Sequence, residues 1–251
     1  MEFLFERFET AADANAFIDK GRAFSYGQLI SLTERYGEQM RESGVADGDI
    51  VVVMGDYSPE VVCLLFALLR SGCIVVPFTQ EAIVDLDTVD ELAEAQWVID
   101  FTSGEPMFQS TGATSTSELV AGLRSSGNPG MILFSSGSTG TPKAILHDMR
   151  LVAEKFRRQG PARVAIAFLM LDHFGGVNTI LAILSGLGTV VTVPDRSVVS
   201  ICSAIERHRV EILPTTPSFL NMLVRSGAVE QYDLSSLKRI TYGTEVMPQE
   251  T

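Results

Sequence analysis

A chain of 251 residues with 46% hydrophobic content can bury one large core or two smaller ones. Its 31 acidic residues against 19 Lys and Arg give a net charge of −12, the wrong sign for a nucleic-acid surface. Cys63, Cys73 and Cys202 are scattered, with no Cys-x-x-Cys pair and no histidine at metal spacing, which favours reduced thiols, a cytoplasmic setting and no structural zinc.

The N-terminus, MEFLFERFET, carries three Glu and does not read as a secretory signal. Ser25-x-x-Gln28 is a capping box that opens a helix; Leu29, Thr33, Tyr36 and Met40 share one face, and Gly44 closes it. Ile50 to Met54 is a buried strand. Ser58-Pro59 starts a helix running to Gly72, followed by a strand from Cys73 to Val76 that Pro77 stops. Thr88-x-x-Glu91 caps a short helix, and Gln96 to Ile99 forms a strand. Phe101 to Gly130, rich in Ser, Thr and Gly, reads as a surface connection with a short helix at Glu118 to Leu123. This alternation of strands and helices predicts βαβ units and a parallel sheet.

Met131 to Phe134 is an apolar strand, and Ala144 to Leu146 a second one. Between them runs Ser135-Ser136-Gly137-Ser138-Thr139-Gly140-Thr141-Pro142-Lys143, with five hydroxyls, two glycines and one lysine. Glycines let backbone N–H groups approach an anion, hydroxyls add donors and Lys143 supplies a charge, a combination suited to a polyphosphate. A flexible Gly/Ser linker seldom joins two buried strands through Pro-Lys. A Walker A loop is excluded by spacing, because Gly137 and Gly140 are too close and Ala144 follows Lys143.

The nine-residue run closely resembles the phosphate loop of the acyl-adenylate-forming superfamily, which includes acyl- and aryl-CoA synthetases, adenylation domains of nonribosomal peptide synthetases and luciferases. Ala144 departs from the usual Gly. Ser25-Tyr26-x-x-Leu29 resembles that superfamily's early Thr-Tyr-x-x-Leu segment, and Leu69 to Pro77 its Leu-Lys-Ala-Gly-x-x-x-x-Pro segment. The resemblance implies an α/β fold of doubly wound, mostly parallel sheets with helices on both faces. It also implies a truncated large N-terminal domain over residues 1–251. Residues 50–193 would form one nearly complete subdomain, residues 1–47 and 195–251 part of a second, and the small C-terminal domain would be missing.

Farther along, Met149 to Arg158 reads as a helix and Arg163 to Phe168 as a strand. Lys155, Arg157, Arg158 and Arg163 cluster, as a solvated helix face commonly does. From His173 to Pro194 there is no formal charge, but four glycines and the β-branched end indicate a helix and then a strand, not a membrane span. Leu171-Asp172-His173-Phe174-Gly175-Gly176 stands at a strand end, where α/β proteins bind ligands. It resembles the superfamily segment beside the substrate carboxylate, which assigns Asp172, His173, Phe174 and Gly175 to the acyl site. Asp172 departs from acyl- and aryl-activating members and keeps an amine-bearing substrate open. Ser197 to His208 is a helix, Val210 to Leu213 a strand, and Thr216-Pro217 opens a further helix. Tyr242-Gly243-Thr244-Glu245 resembles a magnesium-binding motif, but its place after Leu234 to Ile240 matches the strand that lies along the adenine. Gly243, Thr244 and Glu245 are therefore expected at the adenine and not at a metal.

The resemblance as a whole implies ATP-dependent activation of a carboxylic acid, with magnesium and with CoA or a carrier protein as thiol acceptor. Lys143 and His173 would be the catalytic residues, and the loop from Ser135 to Lys143 would hold the phosphates. A non-catalytic nucleotide-binding module and an amino-acid-activating adenylation domain are the alternatives. Residues 1–251 by themselves are expected to be inactive and to self-associate through an uncovered sheet edge.

Overall fold

The protein is described by a computed structural model at residues 1–79, 82, 86–135 and 142–243. Ser136, Gly137, Ser138, Thr139, Gly140, Thr141, Thr244 and Glu245 lie outside the described residues.

The chain opens with α1 (Glu2–Glu9), the antiparallel pair β1 (Asn15–Asp19) and β2 (Arg22–Ser25), and α2 (Tyr26–Ser43). The capping box of α2 is complete. The Gln28 N–H donates to Ser25 Oγ, and the Ser25 N–H donates to Gln28 Oε1. Gly44 ends the helix at φ 93°, a conformation that favours glycine.

A βαβ series follows: β3 (Ile50–Met54), α3 (Pro59–Arg70), β4 (Ile74–Phe78), α4 (Leu86–Ala93), β5 (Trp97–Asp100), β6 (Met107–Ser110), α5 (Glu118–Ser125), β7 (Gly130–Ser135) and β8 (Lys143–Asp148). Among the described residues these strands form one sheet in the order β6-β5-β3-β4-β7-β8, parallel inside and antiparallel at both edges. Then come α6 (Met149–Glu154), β9 (Val164–Ile166), α7 (Phe174–Ser185), β10 (Thr189–Val191), α8 (Val198–His208), β11 (Ile212–Thr215), α9 (Pro217–Arg225) and β12 (Arg239–Tyr242). The second sheet runs β12-β11-β9-β10-β1-β2, all parallel except the β1–β2 hairpin.

Strand alternation divides the core into three layers. Val51 and Val53 of β3 and Ala165 and Val190 of the other sheet share one central cluster with α1, α2, α3 and α7. Ile50 and Val52 point to the opposite face, against α4 and α5. Ile166 and Val191 point away in the same manner, against α8 and α9. Each sheet thus carries helices on both faces, the doubly wound arrangement expected. Helix α3 lies between the two sheets and is buried from Val61 to Leu69, which is why its apolar residues surround the axis.

Several local expectations change. Strands β9 and β10 belong to the sheet of β1, so the boundary expected near residue 193 does not separate the sheets: Val190 pairs with Phe17 and Ala165 with Val190. Pro77 does not stop β4, which continues to Phe78. The β7 pairing is confined to Ile74 and Val75, so no partner on that side needs an N–H from Pro77. Thr88 lies inside α4 instead of capping it. The connection after Phe101 contains an edge strand, β6, which pairs antiparallel with β5.

Candidate active site

The phosphate-loop run joins β7 to β8. Its described ends, Ser135 and Lys143, are the last pair of that antiparallel ladder. Buried Met131, Ile132 and Leu133 root the hairpin, while Lys143 is exposed at its far end. This rooted hairpin fixes the two described ends of the run, Ser135 and Lys143, side by side.

The segment expected at the acyl site forms a tight turn into α7. His173 is the N-cap residue, with extended backbone, and its ring makes no cap hydrogen bond. The Gly176 N–H donates to His173 O at 3.0 Å. A Cβ on Gly176 would sit 1.9 Å from Met170 O, so only glycine fits there. This close approach brings the start of α7 down onto the residues that leave β9.

The hairpin and the turn meet through side chains. The His147 ring of β8 stacks on Phe174, with centroids 5.1 Å apart and planes at 28°. The Lys155 ammonium lies 4.9 Å from the centroid of the same ring and donates to Asn178 Oδ1. Burial lowers the proton affinity of both His147 and Lys155. Of the basic cluster, Lys155 therefore reaches the site, whereas Arg157 pairs with Glu154 and Arg163 with Glu211.

The carboxyl ends of the two sheets are sewn together beside this turn. The Tyr57 hydroxyl, after β3, donates to Gly176 O at 3.0 Å, and burial pushes its pKa up. Thr79, after β4, donates to Asp172 Oδ2 at 3.0 Å. Arg196 reaches Asp56 at 3.2 Å and also donates to Phe168 O. Asp172 is 7% exposed; its other oxygen stands 3.1 Å from Nδ1 of His173, whose side chain is 35% exposed. The carboxylate holds His173 above the usual imidazole value, although burial works against it.

Gly243 follows β12, which runs parallel to β11 and β9. It therefore lies at the same end of the sheet as the His173 turn. The described part of the expected site thus gathers at one end of the two sheets: Ser135 and Lys143 on the hairpin, Asp172, His173, Phe174 and Gly175 on the turn, and Gly243 beyond β12. Tyr57 and Thr79 join it without any local motif that marks them, while His147, opposite Met131 at the root of the hairpin, and Lys155 reach it only through the Phe174 ring. Among the described residues, no group of three or more His, Cys, Asp or Glu side chains could hold a metal ion. The magnesium implied by the resemblance meets no such group among them.

Comparison with known proteins agrees with this fold. The family model described as AMP-binding enzyme matches residues 4–82 and 78–251. The chain is 27% identical to an indoleacetate–CoA ligase of Aromatoleum aromaticum, over 91% of this chain and 51% of the ligase. It is 28% identical to nonribosomal peptide synthetase 4 of Gibberella zeae, over 94% of this chain and 3% of that protein. Among solved structures, the N-terminal domain of FACL13 from Mycobacterium tuberculosis superposes with a TM-score of 0.82 at 20% identity, over 99% of this chain and 70% of that one. The o-succinylbenzoate CoA synthetase of Bacillus subtilis, in complex with its acyl-adenylate intermediate, gives 0.76 at 16% identity, over 97% and 68%. The chain spans about half the length of the curated CoA ligases it matches. With the family model covering nearly its whole length, the chain belongs to the AMP-binding enzyme family.

Proposed function

We propose that the protein carrying this chain activates a carboxylic acid with ATP. A carboxylate oxygen attacks the α-phosphorus, the bond to the β-phosphate oxygen breaks, and pyrophosphate leaves an acyl-adenylate. A thiolate, from CoA or a carrier protein, then attacks the acyl carbon and AMP departs. The observation that carries this reading is the Thr79 hydrogen bond to Asp172, which sets the His173 turn at the carboxyl end of β4, beside β7, whose own carboxyl end at Ser135 opens the phosphate loop. It would bring the phosphates and the acid to one place, where positioning and electrostatic stabilisation supply the catalysis.

In this reading the loop from Ser135 to Lys143 holds the departing phosphates, and His173, Phe174 and Gly175 line the acyl site. Gly243, Thr244 and Glu245 flank the adenine. Buried free thiols at Cys63, Cys73 and Cys202 support a reducing, cytoplasmic setting. No helix among the described residues is long and apolar enough to cross a membrane. Acid-dependent exchange of labelled pyrophosphate into ATP by the full-length protein, assayed across a panel of acids, tests the reaction; no exchange with any acid would refute it.

His173→Ala is expected to raise the KM for the acid or lower kcat, with the KM for ATP little changed, because the ring stands on the acyl turn and not on the hairpin. Equal effects on both substrates would make it a structural histidine instead. Residues 1–251 assayed alone are expected to form no acyl-adenylate, to bind ATP weakly and to self-associate. The β12 edge supports the last point, with Ile240 and Tyr242 exposed on it. A monodisperse monomer by light scattering, with micromolar ATP affinity by calorimetry, would be the contrary result.

A further inference from the structure

We propose that Asp172 is a positioning residue: its buried carboxylate, tied to Thr79 on the opposite sheet, holds the imidazole of His173 at the acyl site. The inference rests on the reading of that turn as the acyl site and assigns Asp172 a role other than partner to a substrate amine.

The geometry points this way through what each oxygen can reach. Asp172 Oδ2 accepts from the Thr79 hydroxyl at 3.0 Å. Oδ1 is buried and, like the buried Nδ1 of His173, has no aligned hydrogen-bond partner. The two atoms face each other at 3.1 Å. A buried carboxylate oxygen left unpaired is costly, and so is a buried ring nitrogen. The two needs cancel only if Nδ1 carries the proton and a small ring rotation aligns it with Oδ1. That selects the Nδ1–H form, neutral or charged, and leaves Nε2 as the ring nitrogen for the acid. With Oδ2 on Thr79 and Oδ1 facing His173, both carboxylate oxygens are taken up by groups of this chain before any substrate amine arrives. Thr79 stands 93 positions from Asp172, so the anchor fixes the His173 turn to the first sheet as well as fixing the carboxylate.

The charged and titratable groups around this pair are few. Tyr57 approaches from the turn after β3 and is held neutral by burial, with Asp56 and Arg196 paired beside it. On the other side of Phe174 stand His147 of β8 and Lys155 after α6, both weakened as bases by burial. Asp172 is the group that raises the proton affinity of His173.

Residues 1–251 contribute three histidines, His147, His173 and His208, and NMR titration of the histidine-labelled full-length protein, with each of their signals assigned by substitution, resolves the question. His173→Gln assigns the signal by its loss. Asp172→Asn is expected to lower the His173 midpoint and leave the other two in place. Thr79→Val should move it in the same direction by less. An unmoved His173 midpoint in Asp172→Asn overturns the proposal. If that variant fails to fold, an unmoved midpoint in Thr79→Val does so. In the full-length enzyme, Asp172→Asn should cut kcat/KM for the acid about tenfold, with the KM for ATP unchanged, as expected for one lost hydrogen bond to a charged group. Asp172→Glu should restore part of it. Unchanged acid kinetics would remove the positioning role. Absence of pyrophosphate exchange in the unmutated enzyme would instead defeat the proposed reaction and leave the titration to decide the pairing.

Discussion

Gly176→Ala is expected to destabilise the chain by about 3 kcal/mol, the upper end of what overpacking costs. The added Cβ would stand 1.9 Å from Met170 O, 2.6 Å from Met170 C and 2.7 Å from Leu169 O. All three are backbone atoms, so no flexible side chain can yield. The turn from β9 into α7 would have to open, and with it the Tyr57 hydrogen bond to Gly176 O. Gly37→Ala is the control. It lies inside α2 and its Cβ would meet nothing within 4 Å, so removing a helical glycine should stabilise by about 0.5–1 kcal/mol. Urea denaturation of the two variants beside the unmutated chain measures both effects. A Gly176→Ala midpoint equal to that of the unmutated chain would show that the turn is not held as described.

Lys143→Ala should do the reverse, leaving the fold intact and slowing adenylation. Lys143 is exposed at the start of β8 and its backbone keeps its pairing with Ser135 whatever the side chain. Surface changes of this kind stay within about 0.5 kcal/mol. The ammonium is the one charge in a loop otherwise made of hydroxyls and backbone donors. Losing a charge-assisted phosphate contact costs about 1.5–3 kcal/mol, or roughly ten- to a hundred-fold in rate. The measurement is pyrophosphate exchange by the full-length protein at sub-saturating ATP, with denaturation run in parallel. Unchanged exchange would remove Lys143 from the phosphate contacts.

The two variants separate parts of the molecule that were differently visible. The family was legible because the nine residues from Ser135 to Lys143 form a long and specific pattern. The helix starts were legible because caps are local. Ser25 with Gln28, Ser58 and Thr216 each bond an N–H within three residues, as their spacing predicts. Pairing partners were less accessible. β9 and β10 read correctly as short apolar strands, yet nothing in their sequence says which sheet they join, since β-branched residues suit any buried strand.

By itself, then, the sequence determined the α/β class, the family, the apolar strands that flank the Ser135–Lys143 run and the junction of strand and helix that carries His173. These follow from periodicities and motifs whose interactions close within a few residues. The tertiary structure decided the rest. It put α3 between two sheets, placed β9 and β10 in the sheet of β1, and set Thr79 against Asp172 and His147 against Phe174. Such contacts join residues far apart in the chain. They arise from which faces the helices cover as the sheets pack, and that choice is made by the burial of the whole core rather than by any local stretch.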